Sequence, residues 1–338
     1  MIPDARPTAR RRGHPARLAW LLTLTLALAA GSPVLVIDVR AQGPTETFEQ
    51  TVALGRAGLL DLSNLAGRIS ITADGGDAVV ITAIKRVQNP ASDAEARALL
   101  SRVSIDVTAR AGRVVIRTRY ADRSGPRRTG GVSVDYQVRV PVDAALELRS
   151  VSGDIDVRDV RGEARVESVS GDIRVSNTAD LAVAKTVSGD VELALVTAAG
   201  DATLASVSGD VRVRGLRSPR VEIGSVSGDL DLVDVQADRV EVGTVSGDVR
   251  FQGRLARAGR YEFHSHSGRL RLTLAGAGFD LEARSFSGDI DNRVGIQETP
   301  DASRSRRRRR NQLRGTVDDG GAVVDVRTFS GDIVLERE

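Results

Sequence analysis

Between residues 146 and 335 one short phrase keeps returning: an apolar alternation, Ser or Thr, an apolar residue, Ser-Gly-Asp, then a second apolar alternation. Its serines are Ser152, Ser170, Ser188, Ser208, Ser227, Ser246, Ser267, Ser287 and Ser330. The first eight lie 18, 18, 20, 19, 19, 21 and 20 residues apart, and the final gap of 43 is about twice the unit. A stack of similar units buries a core that no unit can bury alone, so this period constrains the fold before any local motif does.

Each unit has a two-residue period on both sides of its glycine. In the second one Ala164, Val166 and Ser168 share a parity, Val169 shifts it, and Ile173 and Val175 resume the alternation on the other parity. The layout recurs as Val221, Ile223, Ser225 then Leu230, Leu232, and as Val240, Val242, Thr244 then Val249, Phe251. Two short strands joined at a Gly corner fit this pattern, whereas a helical period does not. A unit of about 19 residues is shorter than a tetratricopeptide, ankyrin or propeller repeat and suits one coil of a parallel β-solenoid. The expected fold is therefore an all-β parallel β-solenoid, or β-helix, of some ten coils over a rod of about 45 to 50 Å. The alternative is an antiparallel β-meander or sandwich. Hydrophobic residues make up 41% and aromatics 3%, which suits narrow coils filled by Val, Leu, Ile and Ala. The same scarcity argues against an aromatic groove for sugars or single-stranded nucleic acid.

The formal charge of +3 is unevenly placed. Residues 1–42 carry six Arg and two Asp, a net +4, and Arg304 with Arg306 to Arg310 adds +6, so the rest of the chain stands near −7. Lysine occurs only at Lys85 and Lys185. Arg6, Arg10, Arg11, Arg12 and Arg17 precede an apolar run from Leu18 to Ala30, followed by Gly31, Ser32 and Pro33. This is the layout of an export signal, with cleavage expected after Ala41 or nearer Ala30. The apolar stretch from Leu18 to Ile37 also approaches a membrane span, so a retained anchor is the alternative. There is no cysteine, hence neither a lipid-modified cysteine nor a disulfide framework. Export without disulfides points to a bacterial periplasm or cell surface.

Three segments follow: residues 1–41 as signal or anchor, 42–145 as an N-terminal β cap with degenerate repeats, and 146–336 as the repeat domain with a basic excursion at 299–315. Residues 43–56 read as a polar lead-in. Leu60, Leu62, Leu65, Gly67, Ile69 and Ile71 make an early version of the phrase, with Gly67-Arg68 where later copies have Gly-Asp. Val79, Val80, Ile81 and Ala83 continue as strand. Ala91 to Arg102 forms a short helix or a loop; Val103–Val107, Val114–Ile116 and Val132–Val140 read as strands, with a turn at 125–131 and Pro141 at a strand edge. The seventh phrase has Arg269 in place of Asp, and Val324, Val326, Thr328, Ile333 and Leu335 form the last coil, whose Ile333-Val334-Leu335 strand leaves an open stack end.

Eight aspartates follow a Ser-Gly pair: Asp154, Asp172, Asp190, Asp210, Asp229, Asp248, Asp289 and Asp332. In a solenoid they form a ladder in which like charges raise one another's pKa or attract calcium. The simpler reading is a turn in which Gly permits the dihedrals and Ser and Asp satisfy nearby N–H groups. Ser168, Thr186, Ser206, Ser225 and Thr244 match the inward parity and read as a stacked polar ladder rather than nucleophiles. His264 and His266 share one strand face, but two histidines without cysteine make a weak metal site. No spacing matches a phosphate-binding loop or a hydrolase elbow. Catalytic, cofactor-binding and metal residues are thus all expected to be none, and no cofactor is expected. Arg304 to Arg310 reads as a solvated loop, with contact to a polyanionic surface as the alternative and nucleic acid unlikely in an exported chain.

The Ser/Thr-Val-Ser-Gly-Asp-Val/Ile phrase, Leu65 to Ile69, the Val138 to Pro141 segment and the closing Phe329 to Ile333 phrase together resemble the bacterial DUF4097 family, whose members bear the label adhesin. The resemblance covers about residues 50–336 and implies a β-solenoid-like envelope protein without catalytic residues. Arg269 and the Arg304–Arg310 insertion depart from it. Three functions follow in order: a non-enzymatic scaffold or adhesion-like binding protein with an envelope partner, a self-associating structural protein, and a polysaccharide-processing enzyme.

Overall fold

The structure is a computed structural model and describes residues 45–121, 131–296 and 311–338. The N-terminal part contains β1 (Thr45–Ala53), β2 (Leu59–Ala66), β3 (Ile69–Asp74), β4 (Ala78–Val87), α1 (Asp93–Leu100), β5 (Val103–Arg110), β6 (Arg113–Tyr120) and β7 (Val132–Pro141). Two-strand units follow: β8 (Ala145–Ser152) with β9 (Ile155–Arg158), β10 (Glu163–Ser170) with β11 (Ile173–Ser176), β12 (Asp180–Lys185) with β13 (Val191–Thr197), and β14 (Asp201–Ser206) with β15 (Val211–Arg217). Next come β16 (Arg220–Ser227) with β17 (Leu230–Gln236), β18 (Arg239–Ser246) with β19 (Val249–Leu255), β20 (Arg260–Ser267) with β21 (Leu270–Gly276), and β22 (Phe279–Ser287) with β23 (Ile290–Asn292). A single strand β24 (Gln312–Val317) then leads to β25 (Ala322–Ser330) with β26 (Ile333–Arg337).

The first strand of every unit joins one sheet and the second joins the other, and the Ser-Gly-Asp corner carries the chain across. Among the described residues each sheet has thirteen strands. One runs β1-β4-β7-β3-β9-β11-β13-β15-β17-β19-β21-β26-β23, and the other runs β24-β22-β25-β20-β18-β16-β14-β12-β10-β8-β2-β6-β5. Successive units pair in parallel, whereas β1 with β4, β4 with β7, β5 with β6 and β22 with β24 are antiparallel. The sheets are thus mixed, and the fold is a repeating, solenoid-like all-β architecture. Its interior is a set of stacked aliphatic rows. Leu148, Val166, Ala184, Leu204, Ile223 and Val242 are register partners in turn and all are buried. The rows keep their inward parity from unit to unit, with register shifts at Ala164/Arg165 and Val233/Val235, because a one-residue slip of a whole strand would turn its row to solvent. Where the row reaches Phe263, larger rings fill it: Phe251 meets Phe263 edge-on at 5.0 Å. Tyr261 lies beside them with its hydroxyl accepting the Ala256 N–H and donating to the Ala237 carbonyl, both at 2.7 Å.

Several expectations change. The polar lead-in is strand β1, paired along its whole length with β4. Residues 91–102 contain the helix α1, started by Ser92, whose hydroxyl accepts the Glu95 N–H at 3.2 Å while Glu95 accepts the Ala91 N–H at 2.8 Å, a variant of the reciprocal capping box. Pro141 ends β7, which lies inside its sheet; pairing with β4 stops at Arg139, so the missing donor falls at a strand end rather than a strand edge. Of the excursion at 299–315, residues 312–315 belong to β24, an antiparallel partner of β22. The 43-residue gap therefore holds no second parallel coil among its described residues, and the expected ten coils from Asp154 to Asp332 become nine.

The largest change concerns order. β25 lies between β20 and β22, and β26 lies between β21 and β23. The final unit of the sequence is therefore inserted between its two predecessors, and the spatial end of the stack is made by β22, β23 and β24. Ile333-Val334-Leu335 consequently offers no open stack end: all three residues are buried and β26 is paired on both sides.

Candidate functional site

The corner is the one feature every unit shares, and its local geometry follows from three side chains. A Cβ on the corner glycine would lie within 2.0–2.3 Å of the preceding corner glycine's carbonyl oxygen at Gly153, Gly171, Gly189, Gly209 and Gly228. Glycine is thus fixed by the approach of one coil to the next. The aspartate beside it bridges coils: Asp172 donates its N–H to Asp154 Oδ1 at 3.2 Å, Asp190 to Asp172 at 3.0 Å, Asp210 to Asp190 and Asp229 to Asp210 at 2.9 Å, and Asp248 to Asp229 at 2.8 Å. Arg269 still donates its N–H to Asp248, at 2.7 Å, but its side chain has no acceptor to pass on, so the ladder stops there and resumes where Asp289 donates its N–H to Asp332 Oδ1 at 3.0 Å. The Ser and Thr preceding the corner are buried, and Thr186, Ser206 and Ser225 donate to the corner carbonyls of Gly171, Gly189 and Gly209.

Asp190 does not behave as one of a stack of bare carboxylates. Burial pushes Asp190 up, but the Arg212 guanidinium and the Asp210 N–H outweigh it, and its carboxyl sits below the usual range. Arg212 bridges Asp190 and Asp210 at 2.7 and 2.6 Å, Arg174 meets Asp172 at 2.8 Å, and Arg68 meets Asp154 at 2.8 Å. At Asp154, Asp172, Asp190 and Asp210 one oxygen is given to a backbone N–H and the other to arginine, which leaves these four carboxylates little for a cation. Calcium at about 5 mM is expected to leave the melting temperature unchanged within about 1 °C. A thermal shift that saturates with calcium would contradict this account of the ladder.

His264 and His266 do not converge on a site: His264 Nε2 lies 3.8 Å from Glu262, and His266 stacks on Phe329 with centroids 5.0 Å apart. Among the described residues no three His, Cys, Asp or Glu are grouped to hold a metal. Arg304 to Arg310 lies outside the described residues.

Two features escape the repeat phrase. Asp135 accepts the Arg68 N–H at 2.9 Å, and a Cβ on Gly67 would meet the Val134 carbonyl at 2.3 Å, so β7 supplies an additional rung of the ladder. Val-Ser-Val-Asp at 132–135, a repeat phrase with Val for Gly, is its signal. On the outer face of β2, Asp61 is 2% exposed under arginines: it accepts from Arg117 at 2.7 and 2.8 Å and from Arg113 at 2.7 Å. The bonds from Arg117 hold its carboxyl below the usual range despite burial. A depressed folded pKa means stability that is present above the unfolded value near 3.9 and is lost as pH falls through the folded one. Asp61→Asn should therefore cost about 2 kcal/mol at neutral pH. In urea melts the deficit should shrink below about pH 4; a deficit independent of pH would refute the assignment.

Outside the ladder, the corner carries an exposed apolar row. Val151, Val169, Val187, Val207, Val226 and Val245 are each 42–49% exposed, and the row continues as His266, Phe329 and Phe286. The rings stack in spatial order, with Phe329 4.8 Å from Phe286 and 73% of Phe286 exposed.

Two facing sheets joined by a corner repeated at each coil define a repeat all-β protein. The chain belongs to the Toastrack DUF4097 family, whose profile matches residues 142–203 and 183–336. Solved structures match the chain at low identity. A "putative adhesin" from Parabacteroides distasonis is 11% identical, covering 86% of this chain and 97% of that one with a TM-score of 0.42. A "putative lipid binding protein" from the same species is 11% identical, covering 86% and 96% with a TM-score of 0.43. A "putative adhesin" from Bacteroides fragilis is 12% identical, covering 86% and 96% with a TM-score of 0.35. No curated protein matches the chain. Among the described residues no helix is long and apolar enough to cross a membrane.

Proposed function

We propose that this chain is an exported, non-enzymatic scaffold or adhesion-like binding protein of the bacterial cell envelope, built as a parallel β-solenoid. Residues 1–41 direct export or anchor the chain, 42–145 cap the stack, and 146–336 form the repeat domain. One observation carries the reading: the same corner, with its apolar, hydroxyl and carboxylate rows, is presented again at each coil. Such a surface suits many equivalent weak contacts, which gain strength by acting together. Catalysis instead requires unlike groups converging on one point, and the irregularities of this corner, His266 and Arg269, replace members of rows without gathering into a cluster.

The test combines location with attachment. In the native bacterium, protease added to cells with a permeabilised envelope should degrade the protein while cytoplasmic markers survive. Cells lacking the gene should lose attachment to a surface that wild-type cells bind, and expression of the protein should restore it. Confinement to the cytoplasm would overturn export, and unchanged attachment on every surface tried would overturn the adhesion-like reading.

A further inference from the structure

We infer that the corner is the interface of a parallel, two-fold dimer in which each coil meets its own counterpart in a second copy of this chain. This does not rest on the adhesion-like reading and differs from end-to-end stacking, because the contact runs along the side of the stack. The row from Val151 to Val245, prolonged by the three stacked rings, is a continuous exposed apolar strip crossing nine coils. At the interstrand spacing it is about 40 Å long. Apolar strips of this extent on a soluble surface mark interaction sites.

The spacing of the strip selects the occupant. Its side chains repeat every 4.8 Å or so, whereas side chains on one face of an extended peptide repeat about every 6.8 Å, so a peptide laid along the strip soon falls out of step. A second copy has the same pitch and stays in step throughout. A membrane surface is disfavoured because only one flank of the strip carries basic residues while the other is a row of carboxylates, whereas interfacial binding strips have a basic polar face.

The flanks select the orientation. On one side of the strip lie the corner aspartates. On the other side lies an outward row two residues before each strip residue. It carries Arg149, Lys185, Arg327 and Arg284 toward the ends and Ala205, Gly224 and Gly243 in the middle. A two-fold axis parallel to the stack sets one copy's aspartate row opposite the other's outward row. Arg327 then faces Asp332 and Arg284 faces Asp289, each twice by symmetry, whereas Asp154 and Asp190, opposite Arg149 and Lys185, are already held by Arg68 and Arg212 of their own chain. Glu167 facing Asp172 is the unfavourable pair, and His264 faces Arg269. An antiparallel pairing would instead set aspartate row against aspartate row.

The central small residues add an independent observation. Gly224 and Gly243 are strand-interior positions on adjacent strands, neither has positive φ, and a Cβ at Gly243 would meet nothing within 4 Å. At Gly224 the nearest atom would be 3.8 Å away. Neither glycine is needed by its own chain, although glycine weakens a strand. In the dimer they form a trough that admits the partner's corner. Strand-interior glycine is the residue expected where another backbone approaches closely.

Because the chain has no cysteine, single substitutions report contacts without interference. In the full chain, Val169→Cys, Val207→Cys and Val245→Cys are each expected to form a disulfide-linked dimer on mild oxidation, and Arg250→Cys, on the outer face of the other sheet, to form none. Sedimentation of the otherwise unaltered chain at about 100 µM, a concentration suited to a weak side-on contact, should show a dimer. Gly243→Glu, which has room in the monomer but sets a carboxylate against Asp248 of the partner subunit, should weaken association at least tenfold with an unchanged circular dichroism spectrum. A monomer at that concentration would overturn the proposal. So would crosslinking at one coil only, as an antiparallel pair gives. Binding to phosphatidylcholine vesicles that Val226→Asp abolishes, without dimerisation, would also overturn it, assigning the strip to a lipid surface.

Discussion

Gly209→Ala is expected to destabilise the protein by about 3 kcal/mol or more, at the upper end of what overpacking costs. A methyl group there would lie 2.0 Å from the Gly189 carbonyl oxygen, which is backbone held by its own coil. Relief requires the coils to separate, and separation lengthens the Asp210 N–H bond to Asp190 and the Ser206 bond to the Gly189 carbonyl. Gly200→Ala is the control: it lies in the same unit with nothing within 4 Å of the added Cβ, and its effect should stay within about 0.5 kcal/mol. The urea midpoints of the two variants decide the matter. Equal midpoints would mean that close approach of coils is not why glycine occupies the corner.

The second large effect is expected at the C-terminus. Ending the chain at Gly321 removes β25 and β26, strands of nine and five residues. If these formed the outer coil, the loss would stop there. Since they separate β20 and β21 from β22 and β23, truncation also removes the support of β22, β23 and β24, which contain nine, three and six residues. The strand signal in circular dichroism should therefore fall by about twice what the deleted residues account for. Limited proteolysis should cut within Phe279–Asn292 in the truncated chain and not in the intact one. Persistent protection of that segment would mean that it restacks directly on β20 and β21, where its own Ser287-Gly288-Asp289 phrase fits the same rows.

The sequence makes the stack legible because the determinants are local and repeated. The alternation of Ala164 and Val166 with Ile173 and Val175 places two strands and their inward faces, and the corner glycines mark where the chain changes sheet. What it hides is non-local. Nothing in the Phe279 or Ala322 segments states which of them follows β20, since both carry the phrase that any unit accepts. Their order is set by the connection through β24. The antiparallel pairing of β1 is similarly a matter of partner, as Thr45–Ala53 carries too little apolar alternation to announce a strand. Of the corner chemistry, the glycine requirement and the burial of the Ser/Thr row follow from parity. The aspartates' use of the next coil's N–H depends on a register seen only after stacking. The apolar strip lies at the residue where parity shifts, Val169 and its equivalents, and that shift is visible in the sequence; its exposure is not, because an apolar residue ordinarily signals the interior.

The insertion of the last coil has a consequence for biosynthesis. A chain emerging from its N-terminus can add β8 through β21 in the order in which they appear, each on a finished template. The segment from Phe279 to Asn292 breaks that order, because its permanent neighbour has not yet been made. It must wait, or lodge temporarily on β20 and β21 until Ala322–Arg337 displaces it. At about 5 to 20 residues per second the interval lasts a few seconds. Only a chain translated through Ala322–Arg337 can then close, so the architecture contains its own check that this last unit has been made.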